Sequence, residues 1–147
     1  MNKYMFILIA LTASLNSVAT ELYTEFPTEV KPDERYVIYS HGLTVEGDDP
    51  RPKHPKFGIY EFVKIKKALF QNGNFNLIAH HRPANTDIDA YVETLESWVR
   101  RLVNAGVKPS RITLVGFSRG SHLTVFASNN LSELSINTAL LASCMDG

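Results

Sequence analysis

The residues best suited to chemistry lie in one segment, residues 111–122, with the sequence RITLVGFSRGSH. An apolar, β-branched run ends there in a Gly-x-Ser-x-Gly pattern formed by Gly116, Ser118 and Gly120, and a helix-compatible segment follows. A strand, a sharp turn and a helix in this order would lift the Ser118 hydroxyl out of a sheet at a helix N-terminus. Side chains at the two glycines would collide where the helix approaches the strand. The pattern predicts a serine placed for nucleophilic attack on a carbonyl carbon.

The residue after the serine, Arg119, has two features that bear on this chemistry. Its backbone N–H lies at the predicted helix N-terminus, where it can stabilise the oxyanion that forms during attack. Its side chain either attracts a carboxylate or phosphate group of a substrate or extends into solvent, and the sequence leaves both roles open.

The rest of the chain alternates between predicted strands and helices. Strands are predicted at 35–40, 76–80, 111–115 and 136–144. Helices are predicted at 57–71, from a cap at Thr86 or Asp87 to an end at Gly106, and at 119–130. Residues 21–33 are expected on the surface or as an edge strand, and residues 44–56, with three prolines, as a loop. This alternation predicts an α/β fold: a mostly parallel sheet with helices on both faces, in three layers.

In such a sheet, functional sites form beyond the carboxyl ends of the strands. Four polar segments occupy that position and are therefore expected to be neighbours in space: 41–43, 80–82, 118–119 and 145–147. The strand that ends in His41-Gly42 is of particular interest, because the backbone just beyond it is suited to supply a second oxyanion donor.

The Tyr-Ser-His-Gly strand end, the Gly-Phe-Ser-Arg-Gly turn and the alternation between them resemble the α/β-hydrolase superfamily over about residues 35–147. The resemblance implies that Ser118 is the nucleophile and that the N–H groups of Leu43 and Arg119 form the oxyanion hole. It also implies a serine hydrolase that cleaves an ester or related acyl bond of a small molecule through an acyl-enzyme, without a cofactor.

The chain departs from that superfamily in its base and acid. The superfamily's triad runs in the order Ser, acid, His, but the only histidine after Ser118 is His122, one helical turn further on and poorly placed to reach the hydroxyl. His80 and His81 follow a neighbouring strand, so they are better placed than His122 to reach Ser118. They precede the serine in the chain, however, which departs from the superfamily's order. Asp146, after the last strand, is the candidate acid, against the alternative of a turn-forming Asp-Gly.

The remaining histidine near the site, His41, is expected to order the oxyanion loop or to line the site. The simplest interpretation is therefore the N-terminal part of a serine hydrolase whose catalytic histidine lies beyond Gly147. A second hypothesis is a non-catalytic secreted binding protein that uses the same cleft. A third is an acyl carrier or transferase, because an acyl-enzyme is common to hydrolysis and transfer.

The first 19 residues are predicted to be a signal peptide. They contain Lys3, a wholly apolar run at 5–11 and small residues before a cleavage point after Ala19. The apolar run is too short to span a bilayer, so no membrane span is expected after cleavage. The protein is therefore expected to be secreted or periplasmic, with residues 20–147 forming a single domain.

The amino-acid composition restricts the partners and cofactors that we expect for this chain. The formal net charge is zero, which gives no indication of nucleic-acid binding. Cys144 is the only cysteine, so an internal disulfide or a cysteine-rich metal site is excluded, and no cofactor or metal motif is present. The last strand, at 136–144, would form an unprotected sheet edge, so we expect marginal stability or self-association.

Overall fold

The structure is a computed structural model that describes residues 20–143. The strands are β1 (Leu22–Tyr23), β2 (Tyr36–Ser40), β3 (Lys53–His54), β4 (Gly58–Ile59), β5 (Asn76–Ile78), β6 (Ile112–Phe117) and β7 (Asn137–Leu141). The helices are α1 (Phe62–Gln71), α2 (Ile88–Asn104) and α3 (Arg119–Asn130), and 3₁₀ turns lie at Leu43–Val45, Pro109–Arg111 and Ser132–Leu134. The predicted signal peptide, Cys144 and Asp146 lie outside the described residues.

Five strands form one parallel sheet in the order β1-β5-β2-β6-β7. β2 and β6 pair along five residues, from Tyr36 opposite Ile112 to Ser40 opposite Gly116. Because all four pairings are parallel, the carboxyl ends of β2, β5 and β6 lie at the same edge of the sheet. The predicted α/β class is confirmed, and the shared edge is where the candidate site residues follow their strands.

Alternating strand residues separate two cores. On one face, the buried side chains of β2 and β6 pack against α2 and α3, with Ile38, Leu114, Leu95, Val99 and Leu123 among the members. On the other face, α1 covers β2 and β5 through a smaller cluster built around Val37, Leu77 and Phe62. Helices therefore cover both faces of the sheet, as the alternation of elements predicts. Among residues 20–143, no helix has the length and apolar composition needed to cross a bilayer.

The α2 helix follows its sequence pattern closely. Asp87 is its N-cap, and the carboxylate accepts a hydrogen bond of 2.9 Å from the N–H of Ala90. Gly106, just past the end of the helix, has a φ of 97°, a conformation that favours glycine. Asp87 and Gly106 therefore define where this helix begins and ends. The loop 83–87, which precedes the helix, is positioned with it.

Three predicted boundaries were wrong. The helix predicted from residue 57 begins at Phe62, because residues 53–59 form an antiparallel hairpin, β3 and β4. The strand predicted at 76–80 ends at Ile78, and within the described residues the last strand spans only Asn137–Leu141. The shorter β5 matters for function, because His80 and His81 leave the sheet instead of extending it.

The last strand lies at the edge of the sheet and, in the part of the chain that the structure describes, pairs only with β6. Its side chains Leu140 and Leu141 are exposed. An apolar edge strand is a surface on which strands of other chains can pair. Self-association through this edge stays a prediction.

Candidate active site

The turn between β6 and α3 holds Ser118 in a rare backbone conformation. Its φ is 53° and its ψ is −121°, whereas non-glycine residues seldom adopt a positive φ. Such a conformation costs roughly 1–3 kcal/mol and persists only where the surrounding structure enforces it. Here the N–H of Ser118 donates to Leu141 O at 2.9 Å, and the N–H of Ser121 donates to Ser118 O at 2.8 Å. The strand–turn–helix geometry predicted from the sequence is present.

The two glycines of the turn allow α3 to approach the sheet. A Cβ added at Gly116 would lie 2.4 Å from the backbone oxygen of Gly120. A Cβ at Gly120 would lie 1.9 Å from Ser40 O and 2.6 Å from His41 O. These are backbone atoms, so no side-chain rotation relieves the clash. The steric reason predicted for both glycines is confirmed.

Two backbone N–H groups, those of Leu43 and Arg119, are the oxyanion donors that the sequence predicts. Leu43 and Arg119 each start a helical turn, where N–H groups lack an intrahelical acceptor. Within residues 20–143, no loop or cap hydrogen bond is made by either N–H. The loop that carries Leu43 lies against the turn, since a Cβ at Gly42 would be 3.5 Å from the Cβ of Ser118.

His41 is a fixed, neutral part of this loop. Its Nε2 accepts a hydrogen bond of 2.9 Å from the N–H of Arg82, so its Nδ1 carries the proton and donates to Gly42 O at 2.8 Å. Burial lowers the pKa of His41 to about 3, and the neighbouring Arg82 cation acts in the same direction. Both ring nitrogens are therefore engaged by backbone groups, which leaves neither of them open to accept a proton from Ser118.

A buried carboxylate, Glu46, joins the loop to the turn. Its Oε1 lies 3.2 Å from Arg82 Nε and 3.3 Å from Arg119 Nε. The Glu46 side chain is 3% exposed and that of Arg82 is 0% exposed. Arg82 also donates through Nη2 to His41 O, and Arg119 donates through Nη2 to Thr86 O at 3.0 Å. The Arg119 guanidinium thus contacts Glu46 and Thr86 while its side chain stays 28% exposed, and both roles left open by the sequence stay predictions.

The Glu46 network was missed by the sequence analysis, although Arg82 lies in one of the segments expected at the site. Replacing Glu46 with glutamine removes the countercharge of two arginines, one of them fully buried. Breaking a buried ion pair costs about 3–5 kcal/mol, so we expect the free energy of unfolding to fall by that amount. Urea denaturation of both proteins measures the difference.

A matched control is Glu61, which also faces two cations, Arg51 and Lys64, but on the surface. Surface ion pairs contribute little, so Glu61→Gln is expected to leave the midpoint of unfolding nearly unchanged. Equal destabilisation by the two substitutions would contradict the structural role assigned to Glu46.

The other two base candidates, His80 and His81, contact groups other than Ser118. His80 Nε2 lies 3.4 Å from Glu25 Oε1, and its ring packs against Tyr91 and Trp98. Burial lowers the pKa of His80. His81 donates through Nε2 to Val45 O at 2.6 Å. All five histidines of the sequence fall within residues 20–143, and none of them makes a hydrogen bond to Ser118 there.

A cleft of about 830 Å³ opens beside the turn. Its lining includes both residues that carry the candidate oxyanion donors, Leu43 and Arg119. Exposed apolar side chains of Leu43, Ile88 and Phe126 line the cleft together with the polar loop 84–87. The structure thus brings together three of the four segments expected at the strand ends, and the fourth, with Asp146, lies outside the described residues.

Comparison with known proteins agrees with this geometry. The family model described as phospholipase/carboxylesterase matches residues 27–145, which include four of the five sheet strands, β2, β5, β6 and β7, and the serine turn. No match is found among curated proteins. A family match over this much of the chain assigns the hydrolase class as well as the fold. The chain therefore belongs to the phospholipase/carboxylesterase family, whose members have the α/β-hydrolase fold.

Proposed function

We propose that this protein hydrolyses carboxylic esters through an acyl-enzyme formed on Ser118. The observation that carries the proposal is the positive φ of Ser118 at the turn between β6 and α3. That strain exposes the hydroxyl at a helix N-terminus, where a serine nucleophile acts. Ser118 Oγ would attack the ester carbonyl carbon, the alkoxide would leave with a proton, and water would release the acid.

The oxyanion of the tetrahedral intermediate would be held by the N–H groups of Leu43 and Arg119. Within the described part of the chain neither N–H makes a loop or cap hydrogen bond, which supports this role. The Glu46 network supports it as well, because it fixes the loop to the turn from which the two donors come. Donors that are positioned before reaction stabilise developing charge without a cost of reorganisation.

The substrate proposed is a small acyl ester whose acyl chain lies in the cleft. The apolar side chains of Ile88 and Phe126 support this placement. The same acyl-enzyme would serve acyl transfer if an alcohol or amine replaced water as acceptor. Hydrolysis is the reaction of the family, and we propose it for this chain.

Deprotonation of Ser118 is the step for which residues 20–143 provide no hydrogen-bonded histidine. No histidine of the described residues contacts the hydroxyl, so a proton acceptor must come from elsewhere. Asp146 is proposed as the acid that would orient a base, from its position after the strand next to β6. Added imidazole can take the proton in place of a positioned histidine, and we expect it to accelerate acylation.

One observation favours a second candidate function. The absence of a histidine contact to Ser118, within residues 20–143, is also what a non-catalytic binding protein on this scaffold would have. The experiment that separates the two is hydrolysis of p-nitrophenyl butyrate, with and without imidazole, by the wild-type protein and Ser118→Ala. Serine-dependent turnover supports the hydrolase, and its absence in folded protein supports the binding protein.

We also propose that the protein is exported. The proposal is supported by the charged start, apolar run and small residues of segment 1–19. An exported form that begins at Thr20 would support it, and full-length protein that stays in the cytoplasm would contradict it.

A further inference from the structure

The zero net charge of the chain hides a strongly uneven distribution. Residues 51–67 contain six Lys or Arg residues against one acid, Glu61. This segment comprises the β3–β4 hairpin and the first part of α1. The rest of the chain must therefore carry the compensating negative charge. A local positive excess of this size creates a field that attracts an anionic surface.

The same segment exposes apolar side chains. Phe57, between the two strands of the hairpin, is 75% exposed, Ile59 is 49% exposed and Val63, in the first turn of α1, is 57% exposed. They alternate with Lys53, Lys56, Lys64 and Lys67, all of them exposed. We call the surface formed by these seven residues the basic-apolar face. Single exposed apolar residues are common, but a cluster rimmed by lysines indicates an interaction site.

Local contacts hold Phe57 away from the domain. The Nδ1 of His54 accepts hydrogen bonds from the N–H groups of Lys56 and Phe57, at 3.1 and 3.2 Å. The hairpin is closed by Tyr60 N–H, which donates to Pro52 O at 2.9 Å. An apolar side chain fixed in solvent loses little conformational entropy when it inserts into a partner.

The hairpin and the start of α1 form one continuous surface. Glu61 Oε1 lies 2.9 Å from Arg51 Nη2, before the hairpin, and 3.3 Å from Lys64 Nζ, in α1. Behind this surface, the ring of Tyr60 packs edge-on against Phe117, with centroids 5.9 Å apart. Phe117 directly precedes Ser118, so Tyr60 anchors the end of the hairpin next to the serine turn.

We propose that the basic-apolar face binds an anionic lipid surface, with Phe57 inserted among the lipids and the lysines at the headgroups. Interfacial binding needs apolar insertion and cationic attraction together, and this face offers both. Nucleic acid fits less well, because the His54 ring already stacks on Phe57 with centroids 4.7 Å apart. The other apolar members, Ile59 and Val63, offer no aromatic surface to a base.

The test is co-sedimentation of the protein with vesicles of phosphatidylcholine alone and of phosphatidylcholine mixed with phosphatidylglycerol. We expect binding to the anionic vesicles only, weakened by salt because surface charges are screened. Lys56→Gln should weaken binding roughly fivefold, and Lys53→Gln with Lys56→Gln roughly 25-fold. Phe57→Ser should weaken it about tenfold through lost insertion.

Matched controls lie elsewhere on the molecule. Lys108→Gln removes one exposed charge near the opposite end of β6, and Val125→Ser removes an exposed apolar side chain of α3. Both should bind vesicles like the wild-type protein. Because binding requires no reaction, the Ser118→Ala variant should bind equally, so this test is independent of the proposed esterase activity.

Three results would overturn the proposal: no sedimentation with anionic vesicles, equal sedimentation with neutral vesicles, or equal effects of Lys56→Gln and Lys108→Gln. A fluorescent single-stranded oligonucleotide serves as the competing probe. Lysine-dependent binding of that probe, without vesicle binding, would assign the face to nucleic acid instead.

Discussion

Ser118→Ala is expected to lower the imidazole-supported hydrolysis of p-nitrophenyl butyrate to the rate of buffer and imidazole without protein. The loss should be roughly 100-fold or more, because the acyl-enzyme route requires the hydroxyl. The substitution removes one oxygen from a residue whose backbone is held by Leu141 O and by the Ser121 N–H. Release of p-nitrophenolate measures the rate, and circular dichroism checks that the variant is folded.

The matched control for this experiment is Ser128→Ala. Ser128 lies on the same helix, where its Oγ donates to Val125 O at 3.0 Å, remote from the turn. This variant should keep the wild-type rate. Retention of the rate by Ser118→Ala, or an equal loss in Ser128→Ala, would exclude Ser118 as the nucleophile.

Gly120→Ala is expected to destabilise the fold severely and to abolish any reactivity of Ser118. The added Cβ would lie 1.9 Å from Ser40 O, so α3 could not keep its position against β2. Overpacking against backbone, which cannot rotate away, should lower the free energy of unfolding by about 3 kcal/mol or more. Thermal or urea unfolding measures this loss.

Gly42→Ala provides the contrast. Gly42 has a φ of −75°, which alanine adopts readily, and the nearest atom to an added Cβ is a side-chain carbon of Phe117 at 3.2 Å. The aromatic ring can shift by a few tenths of an ångström, so stability should change much less than in Gly120→Ala. Similar losses in the two variants would show that the close contact of α3 with β2 is not the cause.

Local patterns in the sequence were sufficient to predict the strand, turn and helix that position Ser118. The two glycines of the turn predicted the close approach of helix and strand, and a cap at Thr86 or Asp87 predicted the start of α2. These features depend on residues close together in the chain, where backbone sterics and capping decide the structure. The parallel sheet followed from the alternation of strands and helices, and it predicted which strand ends would meet.

The directions of the His80 and His81 side chains could not be predicted from the sequence. The strand-end rule placed both His80 and His81 near Ser118, but successive residues after a strand tend to point to opposite faces. His80 accordingly packs with Tyr91 on the α2 side, and His81 reaches Val45 O on the α1 side. Proximity of segments was predictable, whereas the direction of each side chain was not.

The Glu46 network was beyond local patterns for a related reason. Glu46 lies in a loop that the sequence indicated only as polar, and its partners Arg82 and Arg119 are distant in the chain. Burial of a charge depends on finding partners in three dimensions. A usable signal was present, because an arginine shortly after a buried strand at the edge that holds the site requires a carboxylate nearby.

The hairpin at 53–59 was also missed. Its two strands have two residues each, and no Asn-Gly or Asp-Gly turn joins them. The apolar residues at 59, 62 and 63 instead suggested a longer helix. The zero net charge of the whole sequence likewise concealed the basic-apolar face, because acidic residues elsewhere in the chain balance its positive charge.

The measurement that tests the central claim most directly is the intact mass of the folded protein after exposure to a fluorophosphonate, with and without imidazole. Reactive Ser118 predicts a single adduct that maps to the peptide containing Ser118, forms faster with imidazole and is absent in Ser118→Ala. Failure of the folded protein to form any adduct, even with imidazole, would contradict a nucleophilic Ser118 and leave the binding-protein hypothesis.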